Sequence, residues 1–224
     1  MERDRFLARV SAALADARLG VNRAHPPAII DEVAEAVYRR PLDDLPVAFA
    51  EAATREGACV RRVAGPSYLA TLVAEVVRAH GIATAVVSAD PETRGLAGEL
   101  EALGVQILPW DGPQPAAAAD LGVTGAVCAI AATGSIVVGA DRAGGRTASL
   151  LPPVHLALVS ERALVATTAG LWRDMGRFFP RGVPSQAVVI TGPSRTGDIE
   201  LILTRGVHGP EHLWIGLVGG GEAG

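Results

Sequence analysis

Lysine is absent from this chain: all 20 basic residues are arginine. That removes Schiff-base chemistry, a pyridoxal-phosphate anchor, a P-loop lysine and a lysine general base. Cysteine is almost absent, with Cys59 and Cys128 the only two. Two thiols cannot build a four-thiolate iron–sulfur or zinc site within the chain. Together with the lack of a signal-peptide pattern, they point to a reducing, cytoplasmic setting, with both sulfurs in or near the core. A strong charge of either sign is missing as well. The net charge is −4 and the arginines form no stripe, so nucleic acid and anionic membranes have no electrostatic claim as partners. There is also no GxSxG elbow, no GxGxxG after a strand and no HExxH. Hydrolase and dinucleotide-dehydrogenase readings therefore lack support.

What is present is a chain of 224 residues, 49% hydrophobic, long enough to bury a sizeable core. Gly122 to Ala140 carries no charge over nineteen residues, close to the ~20 of a membrane-spanning helix. Its glycines, threonines and the Thr133-Gly134-Ser135 turn fit two short strands better. The expectation is a buried hairpin and no membrane span.

Helical spacing marks residues 3–19, Asp31 to Arg40, and Val47 to Glu56. These are assigned to a helical N-terminal extension, residues 1–57, read as an accessory layer or arm. From Ala58 the pattern alternates: strand 58–63, helix 66–80, strand 83–88, helix 91–103, strand 105–108. Such alternation predicts an α/β domain over 58–224, a mostly parallel sheet with helices on both faces. Asp111 to Ala119 reads as a Pro/Ala-rich connector. Asp141 to Thr147 reads as a polar loop whose Arg142 and Arg146 could grip a carboxylate. His155 falls in an apolar strand, where a satisfied core histidine is expected, and a further helix is placed near 168–178.

Chemistry-bearing residues gather from Gly192 to Pro210, GPSRTGDIELILTRGVHGP. An apolar run over Gln186 to Thr191 predicts a buried strand leading into it. Gly192-Pro193-Ser194 then turns the chain, and Ser194 is expected to cap a short helix carrying Arg195, Thr196, Asp198 and Glu200. Amides at such a helix start, with Arg195 beside them, would receive a carboxylate or phosphate. Gly192, Ser194, Arg195 and Thr196 are the candidate ligand-binding residues, joined by Thr133, Gly134 and Ser135, whose turn can present backbone amides. Asp198, Glu200 and His208 are the candidate acid–base residues. His208 and His212 have metal-like spacing, but Pro210 between them breaks a common helical face, so no metal site is expected.

Three stretches, ADLGVTGAVCAIAATGSIVV (119–138), SLLPPVHLALV (149–159) and GPSRTGDIELILTRGVHGP (192–210), together resemble the lactate-utilization, or LUD-domain, family, in particular its short C-type subunits. The resemblance covers about residues 58–218. It implies a fold similar to ribose-5-phosphate isomerase, glucosamine-6-phosphate deaminase and the CoA transferases. It also implies a role in oxidising L-lactate to pyruvate beside partner proteins that carry iron–sulfur clusters, with no cofactor in this chain. One position departs from the family pattern, which has an acidic residue before Thr-Gly where this chain has Ala132. In CoA transferases of this fold a glutamate attacks the acyl group, and Ala132 cannot. The leading reading is thus a subunit of a lactate-utilization system that binds a small anion. The alternatives are a stand-alone transferase or isomerase acting on a CoA ester or sugar phosphate, or a non-catalytic assembly subunit. A homo-oligomer is compatible with each.

Overall fold

Short runs rich in valine, leucine, isoleucine and alanine form the central strands, which are buried on both faces as in a covered parallel sheet. The computed structural model describes residues 44–110, 113–139, 146–180, 182, 184, 186–197, 203–205 and 208–219. With strands numbered along the chain, its main sheet has six in the order β1 (Cys59–Val63), β12 (His212–Val218), β7 (Val154–Ser160), β4 (Leu121–Gly125), β2 (Thr84–Val87) and β3 (Gln106–Ile107). Every neighbouring pair is parallel. The expected α/β class with a mostly parallel sheet is the observed one.

One face of this sheet is covered by helices α2 (Pro66–His80) and α3 (Leu96–Ala102). Their Leu72, Val73, Val76, Leu96 and Leu100 pack on Val63, Val123, Leu156 and Leu158. Pro66 opens α2 and Gly81 closes it at φ 62°, which explains why its bounds were legible. The opposite face carries helix α1 (Leu45–Arg55) and a second sheet, in the order β8 (Leu164–Val165), β5 (Cys128–Ile130), β6 (Ser135–Gly139) and β9 (Ala187–Ile190). Here Phe49 and Ala53 of α1 meet Ile136, Val138, Ala157, Val159 and Ile215. Asp44 caps α1 by accepting from the Val47 amide at 3.1 Å, a standard N-cap. Helices α4 (Pro113–Ala118) and α5 (Thr147–Leu150) fill the rest of that face through Ala116 and Ala148. Outside the second sheet, α6 (Thr168–Arg173) and α7 (Met175–Phe178) place Leu171 and Phe178 over Cys128, Ile130 and Val137.

Several expectations are corrected in detail. The Pro/Ala connector is helix α4, since alanine is the best helix former and its prolines sit in the first turn. The helix expected over 91–103 divides into a 3₁₀ turn, Pro91–Thr93, and α3, because Gly95 between them takes φ 84°. The glycine-rich hairpin is only its second half: β5 and β6 pair antiparallel, whereas β4 joins the main sheet. The run before Gly192 does form a strand, but a half-exposed one. Among the described residues β9 pairs only with β6, and Val189 is 52% exposed. The helices read over 3–19 and 31–40, and Arg142, lie outside the described residues. Among those described, no helix is long and apolar enough to cross a membrane.

Candidate functional site

After β9 the chain turns at Gly192, whose φ of 75° favours glycine. Its α-carbon lies so close to the last turn of α1 that a side chain would strike the Glu56 carbonyl. Pro193 is buried, and the Ser194 amide donates to the Pro210 carbonyl at 2.8 Å. The two turns of the 192–210 stretch are thereby tied together. Arg195 is exposed and donates from Nη2 to the Glu56 carbonyl. That carbonyl is at the negative end of α1, where a cation is favourable.

The helix expected after Ser194 is not formed. Residues Arg195–Gly197 are a strand, β10, paired antiparallel with β11 (Leu203–Arg205). Thr196 pairs through its backbone with Thr204. The amides that a Ser194 cap would have satisfied are in a strand ladder, so the anion-binding helix start is withdrawn. Asp198 and Glu200 lie outside the described residues.

The other motif turn comes to the same place. Thr133 Oγ1 is 2.7 Å from Ser135 Oγ, which is 2.7 Å from Thr191 Oγ1. This hydroxyl ladder joins the tip of the β5–β6 hairpin to the residue before Gly192. Gly134, at φ 65°, seats the hairpin on α1, since a side chain there would strike the Ala53 backbone. Ala132 sits in the same turn and donates its amide to Ala166 at 3.0 Å.

A cleft of about 400 Å³ opens beside these residues, lined by Glu56, Ser149, Leu150, Val188 to Arg195 and His208 to Pro210. It lies at the amino ends of the main-sheet strands, because Glu56, Leu150 and Pro210 shortly precede β1, β7 and β12. Gly192, Ser194, Arg195 and His208 line it; Thr133, Gly134 and Ser135 support it through Thr191. His208 is exposed. His212 turns elsewhere, stacking on His80 with ring centroids 4.4 Å apart. His80 in turn accepts from Trp214 Nε1 at 2.9 Å. Burial and then the neighbouring His212 lower the His80 pKa. Among the described residues no three His, Cys, Asp or Glu side chains are grouped to hold a metal ion.

Sequence reasoning missed Glu56, Leu150 and Thr191 as parts of the site. Only Thr191, a hydroxyl at the mouth of a glycine turn, carried any signal.

The sequence model of the LUD domain matches residues 47–218. A lactate utilization protein C of Anoxybacillus flavithermus is 34% identical over 147 residues, covering 61% of this chain and 63% of that protein. A lactate utilization protein C of Geobacillus is 31% identical over 150 residues, covering 61% and 62%. An uncharacterized protein of Neisseria meningitidis is 35% identical over 102 residues, covering 43% and 41%. These matches span between 41% and 63% of the relatives' own length. A crystal structure of a DUF162 family protein from Deinococcus radiodurans shares the fold, with a TM-score of 0.55, 24% identity, and coverage of 81% of this chain and 99% of that one.

Proposed function

The chain belongs to the LUD domain family, and we propose that it serves a lactate-utilization system as its cluster-free subunit, binding a small anion in the cleft at Gly192–Arg195. In this reading L-lactate is oxidised to pyruvate, and the two electrons released pass to iron–sulfur partner proteins rather than to any group held here. The observation that carries the reading is convergence. Two motif turns far apart in sequence are joined by the Thr133–Ser135–Thr191 ladder beside one cleft. Arg195 spends one donor on Glu56 and keeps others for a carboxylate, which a guanidinium can grip with two parallel bonds. Ser194 and His208 supply further hydrogen-bonding groups at the rim.

The test is binding of lactate and pyruvate to the purified chain, followed by calorimetry and thermal shift. A ligand at ~100 times its dissociation constant should stabilise the fold by about 2.7 kcal/mol, and Arg195→Ala should abolish the effect. Unchanged affinity in that variant would overturn the assignment. A second reading, an assembly subunit without ligand, is favoured by Ala132, which puts a methyl where the family has a carboxyl group. Stable capture of iron–sulfur partners with no response to lactate or pyruvate would select it.

A further inference from the structure

The apolar wall of the 192–210 cleft is longer than a small anion needs. Val188, Val189, Ile190 and Thr191 line the cleft one after another. Successive residues of a strand point to opposite faces, so a cleft that touches all of them runs along the edge of β9. That edge is open, because among the described residues β9 pairs only with β6. Native proteins usually guard such an edge with charge or proline, and Ala187–Ile190 carries neither. Val189 is left 52% exposed, and Leu151, next to the cleft residue Leu150, is 46% exposed. Exposed apolar side chains gathered in a concavity mark a ligand-binding groove.

The charge lies at one end of this groove. Arg195 Nη2 donates to the Glu56 carbonyl, and Gly192 makes its close approach to the same carbonyl. The guanidinium therefore stands beside Gly192, just past the carboxyl end of β9. From Thr191 back to Val188 the edge extends about 10 Å, at roughly 3.3 Å per residue. Beyond Thr191 its side chains are all apolar. The volume agrees. At about 400 Å³ the cleft is in the range that takes whole drug-sized ligands. A lactate ion gripped by Arg195 would fill only the charged end.

We propose that the cleft selects a monocarboxylate whose apolar chain is several carbons longer than the methyl of lactate, its head on Arg195 and its tail along the open edge of β9. This rests on the reading of Arg195 as the grip on a carboxylate and adds the class of molecule gripped. Each methylene laid against Val188, Val189 and Leu150 leaves water and covers side chains that are otherwise wet. A second charge at the far end of the chain would lose its hydration against valine, so a dicarboxylate of the same length is rejected.

Lactate, propionate, hexanoate and adipate, the dicarboxylate of hexanoate's length, are titrated into the nitrogen-15-labelled full chain. Hexanoate should bind about tenfold more tightly than propionate, since each fully buried methylene contributes roughly fourfold, hexanoate has three more, and one side of the cleft is open. Adipate should gain nothing over propionate. Hexanoate should shift the amide signals of Val189, Gly192 and Arg195 together. Val189→Ser, at an exposed position where substitution changes stability little, should cut the hexanoate-to-propionate ratio to about threefold and leave propionate unchanged. Arg195→Ala should weaken both acids alike. Hexanoate no tighter than propionate, adipate equal to hexanoate, or a ratio untouched by Val189→Ser would overturn the proposal; lactate binding that is lost in Arg195→Ala would still leave the anion site standing. Failure of all four acids to bind would remove the anion site and this inference together.

Discussion

His155 should make this fold acid-sensitive by a calculable amount. It lies in β7, paired with Gly122 of β4 and Leu213 of β12, with no exposed surface. Its Nε2 is 2.8 Å from Thr124 Oγ1, and its Nδ1 is buried with no partner. Protonation would place a charge in the core and a second N–H with nothing to accept it. Burial therefore lowers the pKa from 6.5 to about 4. The unfolded chain binds the proton first as pH falls, so stability is complete above about pH 6.5 and declines toward pH 4. At 1.36 kcal/mol per pH unit the full loss is about 3.4 kcal/mol, of which about 2 kcal/mol is gone by about pH 5. Carboxylates titrate too, so the assay is a double difference: denaturant unfolding at about pH 7.5 and about pH 5, wild type against His155→Leu. The wild type should lose about 2 kcal/mol more than the variant between the two pH values. A difference below about 0.5 kcal/mol, near the scatter between independent sites, would refute a neutral core histidine.

Other consequences follow from single contacts. Gly134→Ala should destabilise by at least about 2 kcal/mol in the same unfolding assay, because alanine pays for positive φ and also meets the α1 backbone; a neutral effect would mean the hairpin tip is not seated there. Phe49→Ala should cost about 3–5 kcal/mol, since Phe49 is fully buried in the core between α1 and the sheets. A loss under about 0.5 kcal/mol, the size of a typical surface substitution, would place α1 outside the core. Burial pushes the Cys128 thiol up to about 12, so it should resist alkylation in the native protein and react only on unfolding; labelling at its unfolded rate under native conditions would contradict this.

Local signals carried far along the main sheet. Strand β1 and helix α2 were legible because proline, glycine and apolar spacing all agree over those residues. The split of the glycine-rich segment was not, since Gly122 and Thr124 join β7 whereas Cys128 to Ile130 join β6 and β8. Nothing within nineteen uncharged residues tells the first half from the second; the decision is made by strands far along the chain. Ser194 misled for the same reason. Its local sequence suits a helix cap, but pairing of Arg195–Gly197 with Leu203–Arg205 prevails. The buried Asp90 gave no sign in the sequence, because a carboxylate in an S-A-D-P turn ordinarily faces solvent.

The candidate site depends most on an element whose sequence reads as plain amphipathic helix. Both motif glycines make their closest approach to α1: Gly134 to Ala52 and Ala53, Gly192 to Glu56. Arg195 reaches the same Glu56 carbonyl across 139 positions of sequence. The hairpin tip and the 192–195 turn are therefore two surfaces fitted to the last turn of one helix, and the hydroxyl ladder joins them where they meet. Small residues at Ala52, Ala53, Gly134 and Gly192 permit that fit, since each additional side-chain atom would separate backbones now in contact. The position of Arg195 at the cleft is thus fixed from the helix side, by a carbonyl at its carboxyl end, rather than by the strand that carries it. A helix with no chemical motif of its own sets the geometry in which the conspicuous motifs act.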